Sequence, residues 1–186
     1  SVIESMDQLL PGIISANLAK MVQYHLEENA VSLYLQEKVE RFEGDKGVEK
    51  VVTNKRVLDA DMVIIAAGVT PNSDLARDAG LVVSHSGAIV VNERLQTSDQ
   101  DIYAGGDCVE VKNMITGKPG YFPLGSLANR QGRVIGSNLA GGNDEFDGAV
   151  GSFVIKLFEI SVASAGLNLK TARKEGFDPF STFVVQ

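Results

Sequence analysis

The sequence holds a single cysteine, Cys108, among its 186 residues. One cysteine cannot form an internal disulfide, and this usage predicts a reducing compartment, the cytoplasm. Long apolar runs are also absent. The longest, Met62 to Val69, contains Gly68 and falls far short of the roughly 20 residues that a membrane helix needs. No segment combines the charged start, apolar middle and small-residue cleavage site of a signal peptide. We therefore expect neither export nor a membrane partner.

Basic residues are fewer than acidic ones, 17 against 24, which gives a net charge of −7. Phosphate contacts supply most of the affinity for nucleic acids, so this balance, without any basic run, predicts no nucleic-acid binding. The apolar share of 44% and the charged share of 22% are those of globular proteins. They exclude a disordered tail, a collagen-like fibre and a disulfide-stapled miniprotein.

The first third of the sequence alternates strand-like and helix-like segments. Residues 1–4 resemble the end of a strand that finishes on a carboxylate. Ser15 can cap a helix whose apolar residues recur at four-residue spacing from Leu18 to Leu26. Strand formers separated by hairpin-like breaks then follow over 31–35, 39–42, 48–53 and 57–58. Met62 to Ala67 is apolar at every position, which predicts a strand covered on both faces.

Composition shifts at Pro71 and Asn72, and a helix is predicted over 73–79. The pattern of Asp101 to Ala104 predicts another buried strand. Residues 109–123 are predicted to form a loop or hairpin, and Ser126 to Leu139 a helix. Beyond Gly141 to Asp144 the pattern predicts a strand, a helix and a strand over 152–160, 169–175 and 181–186. The sequence thus predicts an α/β fold, with a change of composition at Pro71 and a boundary at Gly141 to Asp144.

The most informative motif is Asp101 to Asp107, in which a strand runs into Gly105, Gly106 and a carboxylate. Glycines at the end of a strand let a ligand come close because no Cβ stands in the way. A carboxylate there can accept hydrogen bonds from sugar or ribityl hydroxyls. The alternative is a plain turn after a strand, with Asp107 capping whatever follows.

A second motif begins 16 residues after Asp107, where Pro123 to Ser126 opens a helix. The first N–H groups of a helix are free and its dipole is positive there, so this end can stabilise negative charge on a ligand such as a reduced flavin ring. Within the helix Ala128, Gly132, Gly136 and Ala140 recur every four residues. This stripe predicts close approach by a cofactor or backbone, with tight helix-on-sheet packing in its C-terminal half.

Together the segments resemble the FAD-dependent pyridine nucleotide-disulfide oxidoreductases, in particular the branch of coenzyme A-disulfide reductases, NADH oxidases and NADH peroxidases. The resemblance covers nearly the whole chain. It is carried by Glu4 to Pro11, Met62 to Asn72, Asp101 to Cys108, Thr116 to Pro119, Pro123 to Arg133 and Gly151 to Gly166. It implies a partial Rossmann-like NAD-binding domain over 1–70 and the C-terminal half of an FAD-binding domain over 71–148. Residues 149–186 would start an α+β interface (dimerisation) domain.

On the FAD side the resemblance implies five residues. Asp107, after Gly106, matches the carboxylate that hydrogen-bonds the flavin ribityl chain. Leu124, Gly125 and Ser126 match the turn and helix start that lie against the isoalloxazine ring.

On the NAD side the resemblance implies that Glu4 binds the adenosine ribose of NADH through its hydroxyls. A carboxylate there disfavours the phosphorylated nucleotide by charge repulsion. The alternative is an exposed glutamate at a strand end. Ala67 and Gly68 match the small-residue turn where the two nucleotide-binding domains meet, and Gly151 matches a position near the nicotinamide.

The sequence also departs from the family pattern. No G-x-G-x-x-G motif occurs in it, although the family carries two such phosphate-binding turns. The redox-active cysteine of the family has no counterpart, because Cys108 stands elsewhere and is typical of a small buried residue. We therefore expect the chain to be an internal piece of a larger enzyme, inactive by itself and prone to self-association through uncovered strand edges.

Two histidines, His25 and His85, stand apart in the sequence with no cysteine or carboxylate at metal-ligand spacing. We expect them to be structural or exposed, and we expect no metal site.

The resemblance implies that the parent protein, a homodimer, passes hydride from NADH to FAD. Electrons would then reach a small-molecule disulfide, a persulfide, a peroxide or oxygen. The alternative is a non-catalytic nucleotide-binding or interaction module on the same scaffold.

Overall fold

A computed structural model describes residues 1–184. They form two compact units: the first contains Ser1–Ala66 and the segment that begins at Ser152, and the second contains Ala67–Gly151. In chain order the elements are β1 (Val2–Glu4), α1 (Ala16–Glu28), β2 (Leu33–Leu35), β3 (Val39–Glu43), β4 (Lys50–Thr53), β5 (Val57–Asp59), α2 (Asp74–Asp78), β6 (Ile89–Val90), β7 (Val109–Lys112), β8 (Pro119–Tyr121), α3 (Gly125–Leu139), β9 (Ser152–Leu157), β10 (Ile160–Ala165) and α4 (Leu169–Lys174). The mixture confirms the α/β prediction.

The first unit combines a parallel strand pair with two antiparallel sheets. β1 pairs in parallel with β2, β3–β4–β5 form a meander, and β9 pairs with β10. Helix α1 buries Ala19, Val22 and Leu26 against a core that also receives Leu157 and Val162 from the β9–β10 hairpin. The apolar stripe of α1 therefore runs through Ala19, and the predicted Leu18 is 39% exposed.

The second unit is a small sheet with helices around it. β6 lies parallel to β7, which pairs with β8 in a hairpin, one of the two alternatives predicted for residues 109–123. Its core is built on two of the most buried side chains of the chain, Leu95 and Val109, with Val134 and Ile135 of α3 packed against them.

The prediction of a doubly covered strand over Met62 to Ala67 is wrong for this structure. No strand pairs with these residues in the described chain, and the side chains of Met62, Ile64 and Ile65 are 75%, 81% and 71% exposed. A buried parallel strand needs neighbouring strands on its edges and cover on its faces. Residues 1–184 supply neither, so the apolar run lies open.

The buried strand predicted over Asp101 to Ala104 is not formed either. Asp101 and Ile102 are exposed, and Tyr103 makes one isolated bridge with Gln96. The segment is hydrogen-bonded along one edge, through bonds such as that from the Ala104 N–H to the Leu95 carbonyl at 3.0 Å. A single partner of this length does not establish a regular strand.

At the C-terminal end, the single strand predicted over 152–160 is a hairpin, because the chain reverses at Phe158, whose φ is +52°. Helix α4 confirms the helix predicted there. From Ser181 to Val184 no strand forms, and residues 185–186 of that prediction lie outside the described residues.

Candidate functional site

The turn at Gly105 and Gly106 is shaped by its two glycines. Gly106 has a φ of +87°, in the region that favours glycine. Gly105 lies so close to α3 that a Cβ there would stand 2.9 Å from Ile135 Cδ1 and 3.3 Å from Gln131 Cβ. Gly106 is thus required by the backbone conformation, and Gly105 by the close approach of the turn to α3.

Asp107 follows this turn and is exposed. Two side chains hold the backbone around it. The Gly106 N–H donates to Gln131 Oε1 at 2.6 Å, and Tyr121 Oη donates to the Asp107 carbonyl at 2.8 Å. Since both contacts use backbone atoms, the carboxylate of Asp107 is not used to hold the turn. Strand β7 follows it, so Asp107 is not a helix cap.

Helix α3 begins at Gly125 without a side-chain cap on its N-terminal residue, Leu124. The first turn holds no acidic side chain, and Gly125 and Ser126 are exposed. The Leu124 carbonyl accepts from the N–H groups of Leu127 and Ala128, at 2.9 and 3.0 Å. The positive end of the helix dipole is therefore presented without a neutralising carboxylate.

The glycine turn and the first half of α3 are neighbours. A Cβ on Gly106 would lie 3.8 Å from the Cβ of Ala128. Further along the stripe, a Cβ on Gly132 or Gly136 would meet no described atom within 4 Å other than those of its chain neighbours and of the backbone of α3 itself. The prediction of helix-on-sheet packing in the C-terminal half of the stripe is therefore wrong here, and that face of α3 is open.

Three other predicted residues lie elsewhere in the same unit. Gly151 has a φ of +71°, and a Cβ on it would lie 3.1 Å from the ring of Phe122, two residues before Leu124. Ala67 and Gly68 are exposed, and Gly68 has a φ of +106° with open space where a Cβ would stand.

Glu4 belongs to the other unit, at the end of β1. Its Oε1 accepts hydrogen bonds from the Met6 N–H at 2.8 Å and from Ser5 Oγ at 3.3 Å, so the turn after the strand orients the carboxylate. Its carbonyl accepts from the N–H of Glu37 at 3.1 Å. Glu37 is buried and pairs with Arg56 at 3.0 Å, which connects the end of β1 to the neighbouring meander.

Cys108 is half-buried next to Asp107, and its Sγ lies 3.4 Å from the Gly105 carbonyl. Burial, together with the negative charge of Asp107, raises the pKa of the Cys108 thiol above its ordinary value. The thiolate is the reactive form, so this environment is that of an unreactive thiol.

We expect Cys108 in the folded 186-residue chain to react more slowly with iodoacetamide at pH 8 than free cysteine does. Its rate should rise to half-maximum at a higher pH, because the folded state favours the protonated thiol. Mass spectrometry across pH, with a urea-unfolded sample as the control, measures this. A midpoint at or below that of free cysteine would contradict the assignment.

The two histidines differ in their surroundings. His25 Nε2 lies 3.1 Å from the Leu157 carbonyl, a structural contact, and His85 is exposed. Among the described residues no group of three or more His, Cys, Asp or Glu side chains could hold a metal ion. Across residues 1–184, no helix has both the length and the apolar character needed to span a bilayer.

Sequence reasoning missed Gln131 and Tyr121, the two side chains that hold the turn. A signal for Gln131 was present, because it follows Leu127 by four residues on the face that also carries Val134. A buried polar side chain on an apolar helix face marks a specific hydrogen bond. Tyr121 carries no comparable signal.

Comparisons with known proteins all point to pyridine nucleotide-dependent oxidoreductases. The family described as pyridine nucleotide-disulphide oxidoreductase matches residues 1–132. A protein of Pyrococcus furiosus named NAD(P)H sulfur oxidoreductase (CoA-dependent) is 38% identical over 178 residues, which are 96% of this chain and 40% of that protein. An NADH oxidase of Methanocaldococcus jannaschii is 40% identical over 171 residues, 92% of this chain and 38% of that protein.

A crystal structure described as a FAD-dependent pyridine nucleotide-disulphide oxidoreductase from Desulfovibrio vulgaris superposes with a TM-score of 0.91 at 57% identity. The match covers 95% of this chain and 45% of that one, so the chain spans less than half the length of each of these relatives. Because the family match extends over residues 1–132, the chain belongs to the pyridine nucleotide-disulphide oxidoreductase family.

Proposed function

We propose that the chain is part of a longer flavoprotein that passes hydride from NADH to FAD. The electrons then go to a small-molecule disulfide, a persulfide, a peroxide or oxygen. Two relatives support part of this range, since one is named a sulfur oxidoreductase and another an NADH oxidase.

The observation that carries the proposal is the exposed carboxylate of Asp107 on a turn that lies against α3. Gly106 has no Cβ, and the glycine face of α3 is open, so the residues present leave room for a ligand at this turn. We propose that Asp107 accepts hydrogen bonds from ribityl hydroxyls. Bound FAD supplies the hydride-accepting ring.

Helix α3 has a separate role in this proposal. The N–H groups of Gly125 and Ser126, at the uncapped N-terminus that follows Leu124, stabilise negative charge on the reduced ring. Preorganised dipoles of this kind need no reorganisation when the charge develops.

For the nicotinamide nucleotide we propose that Glu4 binds the adenosine ribose and that Gly151 lies near the nicotinamide. Ala67 and Gly68 form the small-residue turn where the two nucleotide-binding domains meet. Residues 1–70 are then part of the NAD-binding domain, 71–148 part of the FAD-binding domain, and 149–186 the start of an interface domain in a cytoplasmic homodimer.

The uncovered segments support the view that further chain covers this scaffold. Met62, Ile64 and Ile65 are largely exposed, and the segment 101–104 has one short partner. We propose that strands of the longer protein pair with both segments.

The experiment that tests this function is purification of the full-length protein and measurement of its FAD content and NADH oxidation. Disulfide, persulfide, peroxide and oxygen are offered as separate acceptors. Bound FAD with turnover of at least one acceptor is the expected result. Full-length protein that binds nucleotide but oxidises no NADH would instead indicate a non-catalytic module.

The 186-residue chain alone should be colourless, inactive with NADH and prone to form oligomers. Each cofactor pyrophosphate of the family rests on a glycine-rich turn and a helix N-terminus, and no such motif is present. Exposed apolar residues such as Ile64 favour association. Absorbance, an NADH assay and light scattering measure the three properties. A yellow preparation with stoichiometric FAD that oxidises NADH would contradict the prediction.

A further inference from the structure

Gln131 is buried in the face of α3 that covers the core of the second unit, with 2% of its surface exposed. Its Oε1 lies 2.6 Å from the backbone nitrogen of Gly106. A backbone N–H can only donate, so the atom facing it must be the amide oxygen, and the orientation of the side chain is thereby fixed.

Burying an amide is unfavourable unless it is hydrogen-bonded, and an apolar side chain of similar volume would fill the same space without that penalty. Leu127 and Ile135, four residues to either side of Gln131, are apolar and pack on the core. The polar group of Gln131 therefore has a specific task, which is to accept the hydrogen bond of Gly106.

A second side chain reaches the same turn from the sheet. Tyr121, the last residue of β8, donates its hydroxyl to the Asp107 carbonyl at 2.8 Å. A tyrosine hydroxyl is protonated at neutral pH and can therefore donate here; burial, and then the charge of Asp107, raises the pKa of Tyr121 further. The two bonds lie on either side of the Asp107 Cα, one at the preceding residue and one at its own carbonyl.

We propose that Gln131 and Tyr121 are positioning residues for FAD binding, which act by fixing the backbone on both sides of Asp107 so that its carboxylate points at the ligand. This inference rests on the proposed function, in which Asp107 accepts from the ribityl chain. Neither side chain needs to touch FAD.

The test uses full-length protein from which FAD has been removed, with FAD affinity measured by fluorescence titration. Gln131→Met removes the acceptor at similar volume, and Tyr121→Phe removes only a hydroxyl at the surface, so the second variant keeps its fold. Each is expected to weaken FAD binding about three- to tenfold, as loss of one neutral hydrogen bond does. Asn138→Leu is the matched control. It removes another buried amide of α3, which bonds the Arg94 and Asp144 carbonyls at 3.1 and 2.9 Å, and should leave FAD affinity unchanged.

A double-mutant cycle distinguishes positioning from general stability. If Gln131 and Tyr121 act through Asp107, their variants should weaken binding little or not at all when Asp107→Ala is already present. A purely structural effect would add to that of Asp107→Ala, and additivity would overturn the inference. So would unchanged affinity in both single variants while Asp107→Ala weakens binding. If Asp107→Ala itself leaves affinity unchanged, the proposed role of Asp107 fails, and the inference fails with it.

Discussion

Asp107→Ala in the full-length protein is expected to weaken FAD binding about tenfold to a hundredfold. A hydrogen bond to a charged group contributes about 1.5–3 kcal/mol, which corresponds to that range. Asp107 is suited to this role because its carboxylate is exposed while the backbone around it is held by Gln131 and Tyr121. Fluorescence titration gives the dissociation constant, and gel filtration shows whether flavin separates from the protein.

Two further variants test whether the effect is specific to the carboxylate of Asp107. Asp107→Asn keeps an acceptor oxygen and loses the charge, so its affinity should lie between those of the unaltered protein and Asp107→Ala. Asp101→Ala removes an exposed carboxylate from the other end of the same segment and should not change affinity. Retention of FAD at unchanged affinity in Asp107→Ala would refute the assignment.

Glu4 is expected to make the full-length protein prefer NADH to NADPH. Glu4→Ala should lower the ratio of kcat/KM for NADH to kcat/KM for NADPH at least about fivefold. Two charges about 4 Å apart interact by about 1 kcal/mol in water and by about 4 kcal/mol near a protein surface. The carboxylate of Glu4 would therefore repel the extra phosphate of NADPH. The bond from the Met6 N–H at 2.8 Å fixes the direction of the carboxylate after β1.

The ratio of kcat/KM for the two coenzymes, before and after substitution, measures this effect. Loss of the ribose hydrogen bonds should also raise KM for NADH in Glu4→Ala. Asp7→Ala, which removes an exposed carboxylate three residues further on, serves as the control and should leave the ratio unchanged. Unaltered protein that uses NADPH as well as NADH, or better, would show that Glu4 does not select the coenzyme.

Local signals in the sequence predict most helices and hairpins correctly. Ser15 precedes α1 and Asn29 ends it, as expected of residues that favour helix ends. The turns within β3–β4–β5 and β7–β8 fall in segments rich in glycine, asparagine or proline. The β9–β10 turn was missed because Phe158, at φ +52°, is not a residue that signals a turn.

Burial was harder to predict than local structure, because it depends on neighbours. Met62 to Ala67 has the composition of a doubly covered strand, yet residues 1–184 provide nothing to cover it. The segment 101–104 also has the composition of a buried strand, yet it makes one isolated bridge, from Tyr103 to Gln96. For the candidate site, the sequence indicates the motif around Asp107 and places the polar Gln131 on an apolar helix face, whereas the role of Tyr121 is seen only in the structure.

The most direct measurement is anaerobic mixing of the full-length protein with NADH while the flavin absorbance is followed. We propose that this chain helps to bring NADH and FAD together for hydride transfer. We therefore expect a yellow protein whose flavin is bleached by NADH faster than by NADPH, and whose colour returns when an acceptor is added. A colourless full-length protein, or bound FAD that NADH does not reduce, would contradict the claim.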